Sequence, residues 1–145
     1  MIQRIQSIYL LIASLLAGVL APNVSLWTQE SADASVFITD LLSSDQIALK
    51  GIPVLFFASA LVALAAIFLF KNRQLQFVLG RVVILINLFL VGLLIYLSLT
   101  LSGETAVSEK GIGMLVPIFV ILLVVLANKA IRKDEDLVKS VDRLR

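Results

Sequence analysis

The stretch VVILINLFLVGLLIYLSLTLSG, residues 82–103, contains no charged side chain. Its length exceeds the roughly 20 apolar residues that a helix needs to cross the hydrocarbon core of a bilayer. Three more stretches without charge meet or approach that length, at residues 5–29, 51–70 and 111–128. Every charged residue lies between or beyond these four stretches. The pattern predicts a multi-pass membrane protein with four spans.

The composition excludes several classes of protein. The chain has 145 residues, of which 60% are apolar and 15% charged, and its mean hydropathy is +1.05. Soluble domains are about half apolar and a quarter charged. The net charge of +2 is too small to indicate a nucleic-acid partner. With no His and no Cys, the chain lacks the usual ligands of haem and zinc and has no thiol chemistry, so we expect no cofactor and no metal.

The apolar stretches predict an all-α fold, a single membrane-embedded domain of four antiparallel helices. We expect the helices at residues 2–20, 52–70, 82–101 and 113–132, followed by a helical tail at 133–145. Arg4 before the first apolar run and the small residues around Ala21 would also suit a cleaved secretory signal. Pro22 directly after such a cut is unfavourable, so a retained first helix is the favoured interpretation.

Lysine and arginine residues are concentrated on one side of the predicted spans. Cytoplasmic segments of membrane proteins carry the excess of these residues. Only Lys50 and Lys110, of twelve, fall on the other side, so we predict that both termini are cytoplasmic. Seven of the remaining ten are candidates for docking or for contact with lipid headgroups: Arg4, Lys71, Arg73, Arg81, Lys129, Arg132 and Lys133.

The outer segment at residues 22–50 is too short for a core of its own. An apolar cluster beginning at Val36 predicts a small hairpin or an amphipathic turn of helix on the mouth of the bundle. The segment carries four carboxylates, Glu30, Asp33, Asp40 and Asp45. They would suit a divalent cation, but they lack the spacing of a metal loop such as the EF-hand. A solvated acidic loop is the favoured interpretation.

Two asparagine side chains lie within the predicted spans, where an amide needs a partner on another helix. We expect Asn87 and Asn128 at similar depths on the cytoplasmic side, with Gln6 at a comparable level. These three residues are predicted to form an intramembrane polar layer, with Arg4 and Arg81 near its rim. The layer either holds the helices together, which is the favoured interpretation, or lines a ligand site.

No Asp, Glu, Lys or Arg lies in the middle of a predicted span. Transport coupled to protons or cations generally depends on such a group. The hydroxyl groups in the spans have no base beside them and are expected to bond to carbonyl groups of their own helices. They belong to Ser14, Ser59, Ser98 and Thr100. We therefore expect neither coupled transport nor an enzyme.

The tail KAIRKDEDLVKSVDRLR, residues 129–145, has the charge spacing of a helix. Glu135 and Lys139, for example, are opposite charges four residues apart. One face of this helix carries an apolar row, called the tail stripe below, formed by Leu137, Val138, Val141 and Leu144. The tail stripe would suit packing on the connection at 71–81, contact with the membrane surface, or binding of another protein.

Three segments of the chain are distinctive as strings: MIQRIQSIYLLIA (1–13), FKNRQLQ (70–76) and LANKAIRKDEDLVKSVDRLR (126–145). Together they resemble a family of small bacterial integral-membrane proteins catalogued as a domain of unknown function. The resemblance implies a four-helix protein of the bacterial inner membrane, with a short periplasmic segment between helices one and two. It brings no activity, cofactor or catalytic residue with it.

Two functions remain in view. The first is a non-catalytic structural or interaction subunit, embedded in the lipid bilayer, whose cytoplasmic face meets another membrane protein or a second copy of the chain. The second is a small carrier or lipid-binding bundle with a polar cavity that opens to the cytoplasm at Gln6, Asn87 and Asn128. A deep cavity at that layer would favour the carrier, and a closely packed interior would favour the subunit.

Overall fold

Four long helices form the body of the protein. The computed structural model describes residues 3–29, 34–101, 107–110 and 112–144. The elements in chain order are α1 (Gln3–Leu15), a π-helical turn (Leu16–Leu20), α2 (Ala21–Asn23), β1 (Trp27–Gln29), β2 (Ala34–Val36), α3 (Ile38–Leu41), α4 (Ile47–Phe68), α5 (Arg73–Leu101), β3 (Val107–Lys110), a 3-10 turn (Ile112–Leu115) and α6 (Val116–Arg143). The predicted helical fold with four long apolar helices is confirmed.

Each long helix buries a narrow row of residues spaced three and four apart. In α5 this row consists of Gln76, Gly80, Val83, Asn87, Leu90, Leu94 and Leu97. In α6 it consists of Pro117, Val120, Val124, Ala127 and Ile131, and Gly113 of the preceding 3-10 turn continues it. An average spacing of 3.5 residues is the repeat of helices that wind around one another in a left-handed bundle. The four helices therefore pack around one central core, and the part of α6 after Ile131 extends beyond it.

Small side chains bring α1 and α4 close together. The hydroxyl group of Ser14 donates a hydrogen bond of 3.0 Å to the backbone carbonyl of Ala60. One turn further along, a Cβ on Gly18 would lie 3.1 Å from the Cβ of Ala60. Small side chains permit this close approach of the two backbones. Interfaces between helices in lipid are enriched in such residues, because packing and not the hydrophobic effect drives the association there.

The outward faces of the bundle are covered by large apolar side chains. Leu61 and Leu85 are each 65% exposed, and Phe68 is 74% exposed. Four helical segments are long and apolar enough to cross a membrane, with mean hydropathies from 1.9 to 2.8: Ile5–Asn23, Ile47–Phe68, Arg73–Thr100 and Gly113–Arg143. In each of them no more than 39% of the most apolar stretch is buried inside the protein. Most of the apolar surface therefore faces outward, as in a protein whose solvent is lipid.

Two helices begin earlier than the uncharged stretches suggest. The helix expected from residue 52 begins at Ile47, and the helix expected from residue 82 begins at Arg73. Asn72 explains the second start, because its side-chain oxygen accepts a 3.2 Å hydrogen bond from the backbone N–H of Leu75. This is the interaction of an N-cap residue. Most of the connection expected at 71–81 is therefore helix.

A small sheet joins the two loops at one end of the bundle. Its strand order is β2-β1-β3, with both neighbours antiparallel to β1. Trp27 is paired with Val36 on one side and with Lys110 on the other. The hairpin in the outer segment agrees with the sequence pattern. The third strand comes from the loop between α5 and α6 and had no sequence signal.

The short helix α3 seats the outer segment on the bundle. Ile38 and Leu41 are buried in the core, so α3 is an amphipathic turn of the kind the apolar cluster suggests. The backbone N–H of Phe37 donates a 3.0 Å hydrogen bond to the carboxylate of Asp40, which fixes the start of this turn. Two other acidic residues of the segment, Glu30 and Asp33, lie outside the described residues.

Candidate functional site

Most of the basic residues meet at one end of the bundle. We call it the basic end: it is where α1 begins, α4 ends, α5 begins and α6 leaves the bundle. There the guanidinium of Arg73 lies 3.5 Å from the carboxylate of Asp134, which links the first turn of α5 to α6. The opposite end carries the three-stranded sheet and is called the sheet end.

The three residues of the predicted polar layer are all buried. Gln6 is 3% exposed, Asn87 is 0% exposed and Asn128 is 8% exposed. The core contains a fourth amide that the sequence reasoning missed, Gln76, which is 1% exposed. The interior of the bundle therefore holds four amide groups, although none of these side chains can carry a charge.

Asn87 is bonded to α4. Its amide nitrogen donates a 2.6 Å hydrogen bond to the hydroxyl oxygen of Ser59 and a 2.8 Å bond to the backbone carbonyl of Val83. The sequence reasoning assigned Ser59 and Ser14 to carbonyl groups of their own helices. Ser59 instead accepts from Asn87, and Ser14 donates to Ala60 on α4. Both serines therefore link helices.

The remaining hydroxyl groups behave as the sequence predicts. Ser98 donates to the carbonyl of Ile95, and Thr100 donates to the carbonyl of Tyr96, both within α5. These bonds satisfy the hydroxyl groups without a second helix. By contrast, the two hydroxyl groups that link helices, those of Ser14 and Ser59, lie on α1 and α4.

Asn128 lies against Gly80 of α5 and not at the level of Asn87. A Cβ built on Gly80 would overlap the side-chain oxygen of Asn128. Gly80 and Asn87 are seven residues apart on one helix, which is about 10 Å along its axis. Asn87 therefore lies deeper in the bundle than Asn128 and has Ser59 as its partner. Asn87 and Asn128 do not share one level as the predicted layer requires, and the role of the three amides as a ligand site stays a prediction.

Three buried amide atoms have no hydrogen-bond partner within the described ranges. They are Nε2 of Gln6, Oδ1 of Asn87 and Oδ1 of Asn128. An unsatisfied buried polar atom costs about 1–3 kcal/mol of stability. A water molecule or a polar ligand atom that formed a hydrogen bond with one of these atoms would recover this free energy.

Gln76 was missed because the sequence reasoning placed it in a loop. Once α5 begins at Arg73, Gln76 stands one turn before Gly80 and two turns before Val83 in the buried row of α5. A signal was present in the sequence, because Asn72 is a favoured N-cap residue and residues 73–79 contain no proline or glycine. The spacing of three and four residues then extends from Asn87 back to Gln76.

The outer surface of α6 at the basic end is basic. A shallow, open depression on this one helix is lined by Lys129, Arg132, Lys133, Asp136, Leu137 and Ser140. Beyond it α6 continues as one helix to Arg143, and Lys139 lies 3.1 Å from Glu135 as the i, i+4 spacing predicts. The tail stripe is exposed along this extension, from 42% at Val138 to 89% at Leu144.

The other candidate cations have different surroundings. Arg81 lies over the ring of Phe77, with its guanidinium carbon 4.5 Å from the ring centre. Arg73 is paired with Asp134, and Lys71 is exposed in the turn before α5. Arg4 belongs to α1, but its side chain lies outside the described part of the structure. Lys129, Arg132 and Lys133 are thus the three that share one surface.

Carboxylates do not gather into a metal site in the parts of the chain that the structure describes. The interior amides can donate and accept hydrogen bonds, but they cannot exchange protons near neutral pH. Hydrogen-bonding amides thus lie inside the bundle, and cations with apolar neighbours lie on its outer surface at the basic end.

Comparison with known proteins identifies a family but no activity. A family model described as "Domain of unknown function (DUF4293)" matches residues 2–144. The match includes the connection at 70–76 and nearly all of the two terminal segments. No curated protein and no solved structure matches the chain.

Proposed function

The chain belongs to the DUF4293 family, and we propose that it is a four-span protein of the bacterial inner membrane that acts without catalysis, as a structural or interaction subunit. In this proposal the basic end faces the cytoplasm, both chain ends lie there, and the sheet end faces the periplasm. The surface that meets the partner is the cytoplasmic extension of α6.

The surface of the bundle supports a membrane location. Four helices are long and apolar enough to cross a bilayer, and their outward faces carry exposed leucine, isoleucine and phenylalanine side chains. A soluble protein rarely exposes an apolar patch larger than a few hundred Å². Lipid as the surrounding solvent removes this cost and leaves packing and hydrogen bonds to hold the helices together.

The distribution of charge supports the orientation. Lys71, Arg73 and the basic residues of α6 lie at the basic end, whereas Lys50 and Lys110 lie towards the sheet end. An excess of lysine and arginine marks the cytoplasmic side of a span. The small sheet and α3 would then cover the periplasmic mouth of the bundle.

The observation that carries the proposal is the length of α6. Its 28 residues from Val116 to Arg143 extend about 42 Å, which exceeds the ~30 Å of bilayer hydrocarbon. If Arg132 lies at the membrane surface, a straight helix places Leu144 about 18 Å further out. The tail stripe is then held away from the membrane surface with its apolar side chains exposed. A protein surface is the occupant that this geometry suits.

Close packing around the buried amides favours the subunit over the carrier. Asn128 fills the space beside Gly80, and deeper in the bundle Asn87 is bonded across to Ser59. A transport cavity needs room between the helices where these amides lie, and in this conformation the side chains occupy it. The carrier alternative is supported by the unpartnered buried atoms of Gln6 and Asn128, which a polar ligand would satisfy.

The proposal is tested by removing the tail stripe. An affinity tag inserted beside Ser43, in the exposed turn after α3, leaves the cytoplasmic extension free. The variant carries Leu137→Ser, Val141→Ser and Leu144→Ser. Its matched control carries Lys139→Ser, Asp142→Ser and Arg143→Ser, three exposed polar positions on the same helix. The associated proteins, including a second copy of the chain, are quantified after crosslinking in the native membrane and purification.

We expect at least one specific crosslinked partner that is lost from the stripe variant and kept by the control. The same partners in both variants would contradict the role of the tail stripe. If the bundles are extracted intact and no crosslinked partner is reproducible, the proposed role as an interaction subunit is contradicted.

A further inference from the structure

A second cleft at the basic end lies between α1 and α6. It has a volume of about 260 Å³ and is lined by Ile5, Tyr9, Leu126, Lys129, Ala130 and Lys133. Two of these residues are lysines and the remainder are apolar or aromatic. The cleft is separate from the tail stripe, because it faces the side of the bundle and not the extension of α6.

We propose that this cleft binds one anionic phospholipid, with the phosphate held by Lys129 and Lys133 and an acyl chain lying between α1 and α6. The proposal rests on the membrane location and orientation proposed above. It adds a specific lipid site to a protein whose other proposed surface meets a protein.

The charge and position of the two lysines support a phosphate group. Lys129 and Lys133 are one helical turn apart, so their ammonium groups can approach the same anion from one helix face. Both side chains are exposed, and the ion pairs found in the described residues involve other cations: Arg73 with Asp134, and Lys139 with Glu135. Basic pockets between membrane helices on the cytoplasmic side are the usual binding places of anionic headgroups.

The apolar walls support a lipid in preference to free phosphate. Below the lysines, Leu126 on α6 is 46% exposed and Leu122, one turn deeper, is 55% exposed. On α1, Ile5 is 46% exposed and Ile12 is 40% exposed. Residues spaced in this way follow the same helix faces towards the bilayer centre. They form an apolar track that an acyl chain can occupy and that inorganic phosphate cannot use.

The size of Ala130 makes the cleft possible. Ala130 has no side-chain atom beyond Cβ and lies between the two lysines in the sequence, on the wall of the cleft. A larger side chain at this position would fill part of the volume without changing any charge. Ala130→Leu is therefore the most informative variant, because it tests the cleft and not the electrostatic attraction of the whole surface.

The experiment measures which lipids remain on the full-length protein after extraction into mild detergent. The protein is equilibrated with equal amounts of phosphatidylglycerol and phosphatidylcholine, and bound lipid is counted by native mass spectrometry. The variants are Ala130→Leu and the pair Lys129→Gln with Lys133→Gln. The matched control is Lys139→Gln with Arg143→Gln, which removes the same charge from the extension of α6. A further sample contains inorganic phosphate as a competitor.

We expect one phosphatidylglycerol per chain, bound in preference to phosphatidylcholine. The preference should fall by about fivefold for each lysine removed, and Ala130→Leu should abolish it, while the control variant keeps it. Equal binding of the two lipids by the unchanged protein would overturn the proposal. So would equal losses in the control and the lysine variant, which indicate bulk charge, or displacement of the lipid by millimolar inorganic phosphate.

Failure of this lipid site is distinguishable from failure of the proposed function. If the chain is extracted from membranes as an intact bundle and prefers neither lipid, only the proposed lipid site is ruled out. If the chain is not found in the membrane fraction, the proposed function is ruled out as well.

Discussion

Gly80 of α5 and Asn128 of α6 are in direct contact, with no room between them for even a methyl group. This contact fixes the relative heights of the two helices. Together with the Arg73–Asp134 pair at the start of α5, it shows that the two helices run antiparallel over the two turns between these contacts. The contact also explains why Asn128 and Asn87 have different neighbours, since Asn87 lies deeper on the same α5 face.

Gly80→Ala should destabilise the bundle by about 1–3 kcal/mol, because the added methyl group overlaps the Asn128 amide and a packed interior resists insertion. The measurement is thermal unfolding in detergent. In a double variant with Asn128→Ala the overlap is removed, so the loss should be smaller than the sum of the two single losses. Additive losses would contradict a direct clash between these residues.

Asn87→Ala should lower the stability of the bundle in detergent by about 1 kcal/mol, the size typical of a hydrogen bond between membrane helices. The cause is the loss of the bond to Ser59. Ser59→Ala should cost a similar amount, and the two changes together should cost less than their sum. Thr100→Ala is the control, since its hydroxyl bonds within α5 and should contribute little. Unchanged stability in Asn87→Ala would remove the role of this residue in joining helices.

Two glycines should respond differently to alanine. Gly18 faces the Cβ of Ala60 at 3.1 Å, whereas nothing lies within 4 Å of the position a Cβ would take on Gly92. Gly92→Ala should be neutral or stabilising by up to ~1 kcal/mol, because alanine favours the helix. Gly18→Ala should be less favourable than Gly92→Ala by about 1 kcal/mol, because α1 and α4 must move apart. Equal unfolding temperatures would show that α1 and α4 are not in close contact.

The pair of Arg73 and Asp134 should contribute modestly and in a way that depends on salt. The side chains are 27% and 14% exposed, so solvent and ions screen the attraction, and the expected contribution is below ~1 kcal/mol. Asp134→Lys should reduce stability at low salt, and Arg73→Asp in the same chain should restore most of it. A loss that is the same at low and high salt would indicate a packing effect in place of the ion pair.

The sequence predicted the four long apolar helices because charged residues are costly in hydrocarbon and are therefore absent from such stretches. Four stretches without charge gave four long helices, and the resemblance drawn from the terminal segments and the 70–76 connection is confirmed by the family match over residues 2–144. The burial of Gln6, Asn87 and Asn128 was also expected from the need of amides for partners.

The positions of the charged residues did not predict where the helices begin. A helix can continue beyond its apolar stretch, so the charge at Arg81 marks the end of the uncharged run and not the first residue of α5, which is Arg73. The sequence analysis expected Asn87 and Asn128 at similar depths because both lie near the predicted cytoplasmic ends of their spans. The packing of Gly80 against Asn128 sets the relative heights of α5 and α6. Packing between residues that are distant in the chain cannot be predicted from a single sequence.

The sheet shows a further limit of sequence reasoning. β1 pairs with β3, a strand from the other end of the chain, and both strands are short. Short strands have little periodicity, and their pairing is decided by where the helices place the loops. The partner of Ser59 was unpredictable for the same reason, because a serine in a span can bond to its own helix or to a neighbour.

The most direct test of the account is the side of the membrane on which each end of the bundle lies. The chain has no cysteine, so Ser43→Cys at the sheet end and Ser140→Cys on the extension of α6 each provide a single reporter. Intact bacteria are treated with a membrane-impermeant maleimide that crosses the outer membrane. The account predicts labelling of the Ser43→Cys variant in intact cells, and labelling of the Ser140→Cys variant only after the inner membrane is opened. Labelling of the Ser140→Cys variant in intact cells would contradict it.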